Sequence, residues 1–144
     1  MKKLFYLLLI VGGSALLTGC ASGPTYSQLK ATFPAVAQDK GRIFFYRTVV
    51  LGAAVQPAVK LNGQEVGTAK PEGFFYVDRP AGAYTVETST EVKRQLSLNL
   101  ETNQTRYVRL NISIGFFVGH VYPELMDNAA GESEIVSCHY TGPK

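Results

Sequence analysis

The sequence lacks tryptophan and has few of the residues that most often carry chemistry, with two histidines and two cysteines among 144 residues. So small a set leaves little material for a metal centre or a histidine-based active site. Charged residues make up only 17% of the chain and form no basic cluster, which argues against a nucleic-acid partner. Tyrosine and phenylalanine are plentiful at eight each, as is typical of a folded β-rich domain. The length suits one such domain plus a targeting sequence.

Long hydrophobic runs are also missing, except for one at the N-terminus. Lys2 and Lys3 precede an apolar stretch over residues 4–17, which is the pattern of an export signal. A helix of these fourteen residues would be about 21 Å long and a bilayer core is about 30 Å thick, so we do not expect a permanent transmembrane helix. Without the two lysines, 12 basic residues oppose 11 acidic ones, and the mature domain is close to neutral.

The apolar stretch ends in Leu17-Thr18-Gly19-Cys20, which resembles the lipobox of bacterial lipoproteins. The resemblance implies cleavage after residue 19 and attachment of a diacylglycerol to the Cys20 thiol. Mature lipoproteins of this kind carry three acyl chains, enough to hold a domain firmly at a membrane. Ala21 stands where an aspartate would favour the inner membrane in Gram-negative lipoproteins, so the expected location is the periplasmic face of the outer membrane. The alternative is an ordinary signal peptide with an incidental cysteine.

The chain therefore divides into three segments. We expect a lipoprotein signal peptide over residues 1–19, a lipidated N-terminus with a tether and a short helix over residues 20–40, and a β-sandwich domain over residues 41–144. Residues 21–25 are small and polar, as in a tether that keeps a domain off the bilayer.

A short helix is predicted directly after the tether. Apolar side chains recur at spacings of three and four over residues 26–33, the pattern of one helix face. Thr25 or Ser27 is the predicted cap of this helix, and Pro34 ends it.

Alternation of polar and apolar side chains predicts about seven to eight short strands after residue 41. They cover residues 42–47, 55–61, 64–67, 73–78, 84–89, 96–100, 107–114 and 134–140. Asn62-Gly63 supplies the positive φ angles of a type I′ hairpin turn, residues 79–82 predict a second turn, and residues 122–126 a helical turn. No parallel crossover unit is visible, so the expected fold is all-β, an antiparallel β-sandwich.

Four stretches carry a resemblance to a known family. They are GRIFFYR (residues 41–47), VKLNGQEVG (residues 59–67), GFFYVD (residues 73–78) and PAGAYTV (residues 80–86). Together they resemble the bacterial proteins grouped as domain of unknown function 2846, over about residues 41–140. The middle part is also similar to the PEGA-type β-sandwich repeat, whose Pro-x-Gly-x-Tyr-x-Val corner is complete here. Both resemblances imply a β-sandwich, and neither supplies catalytic residues.

Two aromatic triplets place large rings on both faces of their strands, because neighbouring side chains in a strand point in opposite directions. They are Phe44-Phe45-Tyr46 and Phe74-Phe75-Tyr76. Either the predicted helix covers the second face, or the strands are central and doubly buried, or the rings form an exposed strip of the kind that marks interaction sites. For the last case the candidate binding surface is Phe45, Tyr76 and Phe117, whose rings would stack on a glycan or another small ligand.

A metal site or a cysteine nucleophile with a histidine base would have to be built from His120, His139 and Cys138, near Glu124 or Asp127. Cys138 and His139 are neighbours in a predicted strand and would point to opposite faces, so they could not easily share one metal. The sequence therefore predicts no metal, no cofactor and no catalytic residues. Cys138 is expected to be a small buried apolar side chain, without a disulfide partner once Cys20 is lipidated.

Acidic side chains are interpreted as solvated charges or salt-bridge partners. Glu87, Glu132 and Glu134 are expected to face solvent. Glu124 is expected to form a structural salt bridge with Arg42 or Arg47, and the alternative is a general acid.

These observations favour a membrane-anchored periplasmic lipoprotein that acts as a non-catalytic binding or accessory module of the cell envelope, with an envelope protein as its partner. One alternative is a module that binds a small ligand or glycan through the aromatic surface. Another is an envelope enzyme that uses His120, His139 and Cys138.

Overall fold

Nine strands in two sheets form the framework of the computed structural model, which describes residues 19–90, 92–114 and 119–144. The strands are β1 (Lys40–Arg47), β2 (Ala58–Leu61), β3 (Gln64–Thr68), β4 (Gly73–Pro80), β5 (Gly82–Ser89), β6 (Lys93–Leu100), β7 (Thr105–Ile114), β8 (Gly119–Met126) and β9 (His139–Tyr140). One sheet has the order β8-β7-β1-β4-β9 and the other β3-β2-β5-β6. The predicted all-β sandwich is confirmed. All of the predicted signal peptide except Gly19 lies outside the described residues.

The centre of the first sheet contains a parallel pair that the sequence did not predict. Strand β1 runs antiparallel to β4 and parallel to β7, so that Phe45 lies between Phe75 on one side and Val108 on the other. Strands β4 and β9 are also parallel. The crossover from β1 to β7 passes through strands of the second sheet instead of a helix. It therefore leaves no alternation of helical and strand patterns in the sequence.

The predicted hairpin and the predicted corner have different outcomes. Asn62 and Gly63 have φ angles of 50° and 81°, as the type I′ turn requires, and the hairpin between β2 and β3 is confirmed. At residues 79–82 the chain changes direction as predicted, but by a bend at Ala81 alone between β4 and β5 instead of a four-residue turn. The chain passes there from one sheet directly into the other, and the Tyr84 hydroxyl donates to the Pro80 carbonyl at 2.8 Å across the corner.

The main core fills the space between the two sheets. The first sheet contributes Ile43, Phe45, Phe75, Val77, Val108, Leu110 and Val121, and the second contributes Val59, Leu61, Val66, Val86, Leu98 and Leu100. The stacked rings of Phe45 and Phe75 lie at its centre, with centroids 5.0 Å apart. Burying each such ring contributes about 1.5–3 kcal/mol, so the odd-numbered aromatic positions of β1 and β4 hold the sheets together.

The outer face of the first sheet is covered, which confirms the interpretation that a helix packs there. Helix α1 (Tyr26–Leu29) continues into a 3-10 turn (Lys30–Thr32), so the predicted helix is shorter and tighter than a full α-helix. Thr25 is its cap, because its hydroxyl accepts from the Gln28 amide while the Gln28 side chain accepts from the Thr25 amide. The Tyr26 ring contacts Phe44 and Phe74 edge-on, at centroid distances of 5.4 and 5.6 Å.

Two predictions near the C-terminus are wrong. Residues 122–126 belong to strand β8 instead of a helical turn, and Pro123 fits there because β8 is an edge strand. Residues 134–140 do not form one strand, because helix α2 (Asn128–Ile135) extends into them and only β9 is extended. The Asp127 side chain caps α2 by accepting from the Ala130 amide at 2.9 Å.

Candidate functional site

Cys20, the predicted lipidation site, is exposed at one end of the sandwich. Immediately after it, the Ala21 amide donates to the Pro71 carbonyl at 3.1 Å. The predicted tether, residues 21–25, does not hold the domain at a distance. It lies along β9, where the Tyr140 amide donates to the Pro24 carbonyl at 2.8 Å. The folded domain therefore begins one residue after Cys20.

The loop over residues 48–57, next to Cys20, is organised by a buried arginine. Arg47 at the end of β1 is fully buried and donates to five backbone carbonyls at 2.7–3.2 Å. The carbonyls belong to Val49, Leu51, Gly52, Val55 and Ala69. Burial lowers the pKa of Arg47, and the ring of carbonyl dipoles takes the place of an acidic partner. The expected pairing of Arg47 with Glu124 is therefore wrong.

The rings of the candidate binding surface that the structure describes are not exposed for stacking as the sequence suggested. Phe45 is fully buried in the core between the sheets, so it cannot be a stacking platform on the surface. Tyr76 is half-buried, and one of its faces is occupied by the Arg42 guanidinium at 4.3 Å from the ring centroid. Phe117 lies outside the described residues.

Arg42 is held in place by an acid on the neighbouring strand. Its Nε and Nη2 atoms donate to the two carboxylate oxygens of Asp78 at 2.7 and 2.8 Å, and Nη2 also donates to the Pro34 carbonyl. The hydrogen bonds with Asp78 raise the pKa of Arg42. This bidentate pair fixes the cation over the Tyr76 ring, and the expected salt bridge between Arg42 and Glu124 is wrong.

Glu124 instead belongs to a network centred on Arg109. Arg109 in β7 donates to Glu124 in β8 at 2.8 Å and to Glu134 in α2 at 2.9 Å. The hydroxyl of the buried Tyr46 donates to Glu134 at 2.8 Å, and burial together with that acid raises the pKa of Tyr46. Glu134 is thus a partly buried acceptor with two partners, where the sequence predicted a solvated charge. The network joins α2 to the sheet.

The residues considered for metal binding or nucleophilic catalysis make separate contacts. Cys138 is buried against the Arg47 carbonyl, and burial raises the pKa of its thiol to about 12, which keeps it protonated. His139 Nδ1 lies 2.6 Å from the Gly23 carbonyl, and His120 Nδ1 lies 3.1 Å from the Thr90 hydroxyl. No group of three metal-ligating side chains occurs within residues 19–90, 92–114 and 119–144.

Two open depressions of about 400 and 390 Å³ occur elsewhere on the surface. The first is lined by Ala58, Lys60, Glu87, Ser89 and Lys93, and the second by Arg94, Gln95, Ser113, Tyr122 and Pro123. Glu87 and Lys93 in the first are already paired at 2.7 Å. Neither depression contains a residue that the sequence singled out as a candidate site.

The family described as "Protein of unknown function (DUF2846)" matches residues 37–121. The chain belongs to this family. The matched region covers β1 to β7 and the start of β8, and it excludes Cys20 and both helices. The resemblance of its middle part to the PEGA-type repeat stays a prediction.

A relative is found in Haemophilus influenzae (strain ATCC 51907 / DSM 11121 / KW20 / Rd), where it is described as an "Uncharacterized protein". It is 25% identical over 140 residues, which cover 94% of this chain and 83% of the relative. In the part of the chain that the structure describes, no helix is long and apolar enough to cross a membrane.

Proposed function

We propose that the chain is the precursor of a lipoprotein whose mature form begins at Cys20 and is held by acyl chains to the periplasmic face of the outer membrane. There it acts as a non-catalytic binding or accessory module of the cell envelope. The observation that carries the proposal is the lipobox-like Leu17-Thr18-Gly19-Cys20 after an apolar stretch, together with the exposure of Cys20 next to the folded domain.

The position of Cys20 is compatible with enzymatic processing. An acyl transferase and a peptidase need access to the thiol and to the peptide bond before it, and Cys20 is exposed. Buried methylene groups contribute about 0.8 kcal/mol each, so two or more acyl chains make the attachment effectively stable. The domain would therefore stay at the membrane throughout its lifetime.

The accessory role is supported by how the reactive and charged side chains are used. The ion pairs of Arg109 with Glu124 and Glu134 join β7 to β8 and to α2. The ion pair of Arg42 with Asp78 holds the guanidinium over the Tyr76 ring. A side chain whose charge is held in such an ion pair is poorly placed to act on a substrate. These residues fit a rigid module better than an envelope enzyme.

Lipidation can be tested by labelling cells with radioactive palmitate. We expect label on the wild type and none on Cys20→Ala. Cys138→Ala is the matched control, because it removes the other cysteine, and it should keep the label. Label on Cys20→Ala equal to that of the wild type would refute the proposal.

The accessory role predicts a specific neighbour in the envelope. A photo-crosslinking amino acid at Val136, which is 42% exposed on the side of the domain, should give a discrete adduct with a second envelope protein in living cells. The matched control is the same amino acid at Asn62 in the hairpin turn. No adduct at Val136, Leu125 or other exposed positions would contradict a protein-binding role.

A further inference from the structure

Most of the exposed large apolar side chains lie at one end of the sandwich. Among the residues that the structure describes, six such side chains are exposed. Four of them stand in loops or at strand ends, namely Val50 (47% exposed), Leu51 (59%), Val92 (43%) and Ile114 (82%). We call these four residues the apolar end. They come from three segments that are far apart in the sequence, so their grouping is a property of the fold.

Strand register brings Val50, Leu51 and Ile114 together. Because β1 and β7 are parallel, with Tyr46 opposite Arg109, the loop after β1 and the end of β7 leave the sheet in the same direction. Contact confirms this, since a Cβ atom on Gly52 would lie 2.4 Å from Ile112 Cδ1. The loop that carries Val50 and Leu51 therefore packs beside the strand end that carries Ile114.

The turn that carries Val92 reaches the same end from the second sheet. It connects β5 to β6. The Thr88 hydroxyl near the end of β5 donates to the Val121 carbonyl at 2.7 Å, and the Thr90 hydroxyl lies 3.1 Å from His120 Nδ1. Val121 and His120 stand at the start of β8, which is paired with the end of β7.

Cys20 stands at this end as well. Arg47 and Gly73 are opposite each other at the ends of β1 and β4, and the Ala21 amide is hydrogen-bonded to Pro71, two residues before Gly73. In the precursor, the Gln56 side-chain amide also donates to the carbonyls of both Gly19 and Ala53, at 2.7 and 2.8 Å. The lipidation site and the loop over residues 48–57 are therefore direct neighbours.

The opposite end of the sandwich has a different character. Pairing of Lys40 with Pro80 and of Gly82 with Leu100 places its turns together. They contain Asp39, Asn62, Gly63, Ala81, Glu101, Thr102, Asn103 and Asp127. None of the six exposed large apolar residues of the described ranges lies in these turns. The loops that carry exposed large apolar side chains thus lie at the end away from these polar turns.

We propose that the apolar end rests in the bilayer surface that holds the acyl chains of Cys20, with Val50, Leu51, Val92 and Ile114 entering the boundary between headgroups and acyl chains. This inference depends on the proposed lipidation. The chain leaves no spacer, because Ala21 is already bonded to the domain and one extended residue spans only about 3.5 Å. Apolar groups at a bilayer surface are buried about 5–10 Å into the boundary between headgroups and acyl chains. Because so short a link separates Cys20 from the domain, the loops at this end meet the membrane.

Arg47 holds the loop of the apolar end in a conformation that suits contact with the membrane. Its hydrogen bonds to the carbonyls of Val49, Leu51 and Gly52 hold the loop in one conformation. Polar backbone groups of that loop are turned inward to the guanidinium, while the side chains of Val50 and Leu51 point to the outside. A loop whose carbonyls are satisfied internally loses less hydration when it enters the interface.

The test uses the full-length lipoprotein, purified with its lipids and reconstituted into vesicles of phosphatidylcholine and phosphatidylglycerol. The environment-sensitive dye NBD is attached to Leu51→Cys or Val92→Cys, and to the matched control Asn103→Cys at the opposite end. The lipidated Cys20 is blocked, and the buried Cys138 thiol is protonated at neutral pH, so labelling is selective. We expect blue-shifted emission at positions 51 and 92, and about two-fold or stronger quenching by doxyl-labelled lipids than at position 103.

The possible outcomes separate this inference from the proposed lipidation. Equal quenching at positions 51 and 103 in a protein that carries palmitate and floats with the vesicles would overturn the membrane seating and leave the lipoprotein intact. A blue shift at position 51 that is insensitive to doxyl lipids and disappears on dilution would mean that a second copy covers the apolar end, which also overturns it. Absence of palmitate would remove both proposals.

Discussion

Replacing Arg47 with methionine tests whether the buried guanidinium organises the end of the sandwich next to Cys20. Methionine has a similar length and remains apolar in the core, but it cannot donate to the five carbonyls that Arg47 now satisfies. We expect the variant to fold with lower stability and with a mobile loop over residues 48–57.

The magnitude follows from two opposing contributions. An acceptor left without a partner in the interior costs about 1–3 kcal/mol, and the Ala69 carbonyl is such an acceptor because Ala69 is buried. The carbonyls of Val49, Leu51 and Gly52 belong to a partly exposed loop and can turn to water. Removing a buried charge recovers part of its desolvation penalty, so the expected net loss is about 1–2 kcal/mol.

The assay is urea unfolding of the detergent-solubilised full-length protein, followed by far-ultraviolet circular dichroism. Limited proteolysis under native conditions provides a second measurement, because a released loop should be cut within residues 48–57. Arg47→Lys is the control, since it keeps the charge but has fewer donors in a different geometry, and its loss should be intermediate. An unfolding free energy of Arg47→Met within about 0.5 kcal/mol of the wild type, with the loop uncut, would refute this reasoning.

Two further predictions concern the C-terminal part of the chain. Gly131 in α2 lies so close to β7 that a Cβ atom would be 2.4 Å from Tyr107 Cβ, so Gly131→Ala should lower the free energy of unfolding by about 1–3 kcal/mol. The control Ser133→Ala, on the exposed side of α2, should have little effect. Equal effects of the two variants in urea unfolding would contradict the docking of α2 through Gly131. The pKa of the Cys138 thiol is raised from 9.0 to about 12 by burial, so the folded state keeps a proton that the unfolded state releases in this range. Stability should therefore fall as the pH rises from 9 to 12, and Cys138→Ala should show a smaller fall; identical pH dependences in thermal unfolding would show that the thiol is not responsible.

Local structure was predictable where a single physical requirement acts over a few residues. The positive φ angles of Asn62-Gly63 specify a tight hairpin, and Thr25 caps α1 by its own hydrogen bond. The period-two alternation of residues 107–114 similarly identified most of β7. Each of these features depends on neighbours in the sequence and needs no information from the rest of the fold.

Segments whose conformation depends on a distant partner were predicted wrongly. A helical turn was predicted for residues 122–126, yet strand β8 includes Pro123 because an edge strand has no hydrogen-bonding neighbour on one side. A strand was predicted for residues 134–140, but the Asp127 cap and the close approach of Gly131 to Tyr107 favour a helix that extends to Ile135. The parallel pairing of β1 with β7 joins residues about sixty positions apart, and no local pattern reports such a pairing.

For the candidate site, the sequence alone determined the lipobox-like segment with Cys20 and the presence of two aromatic strands, because both are contiguous patterns. Only the tertiary structure decided which way the rings point, and it placed Phe45 in the core and Tyr76 under Arg42. It also decided that Val50 and Val92 stand at the same end of the sandwich as Cys20, because strand register and sheet packing bring together loops that are distant along the chain. The physical reason is that hydrogen bonding fixes the register of neighbouring strands, so that loops distant in the sequence meet at the same end of the sandwich. The two ends can therefore acquire different surfaces.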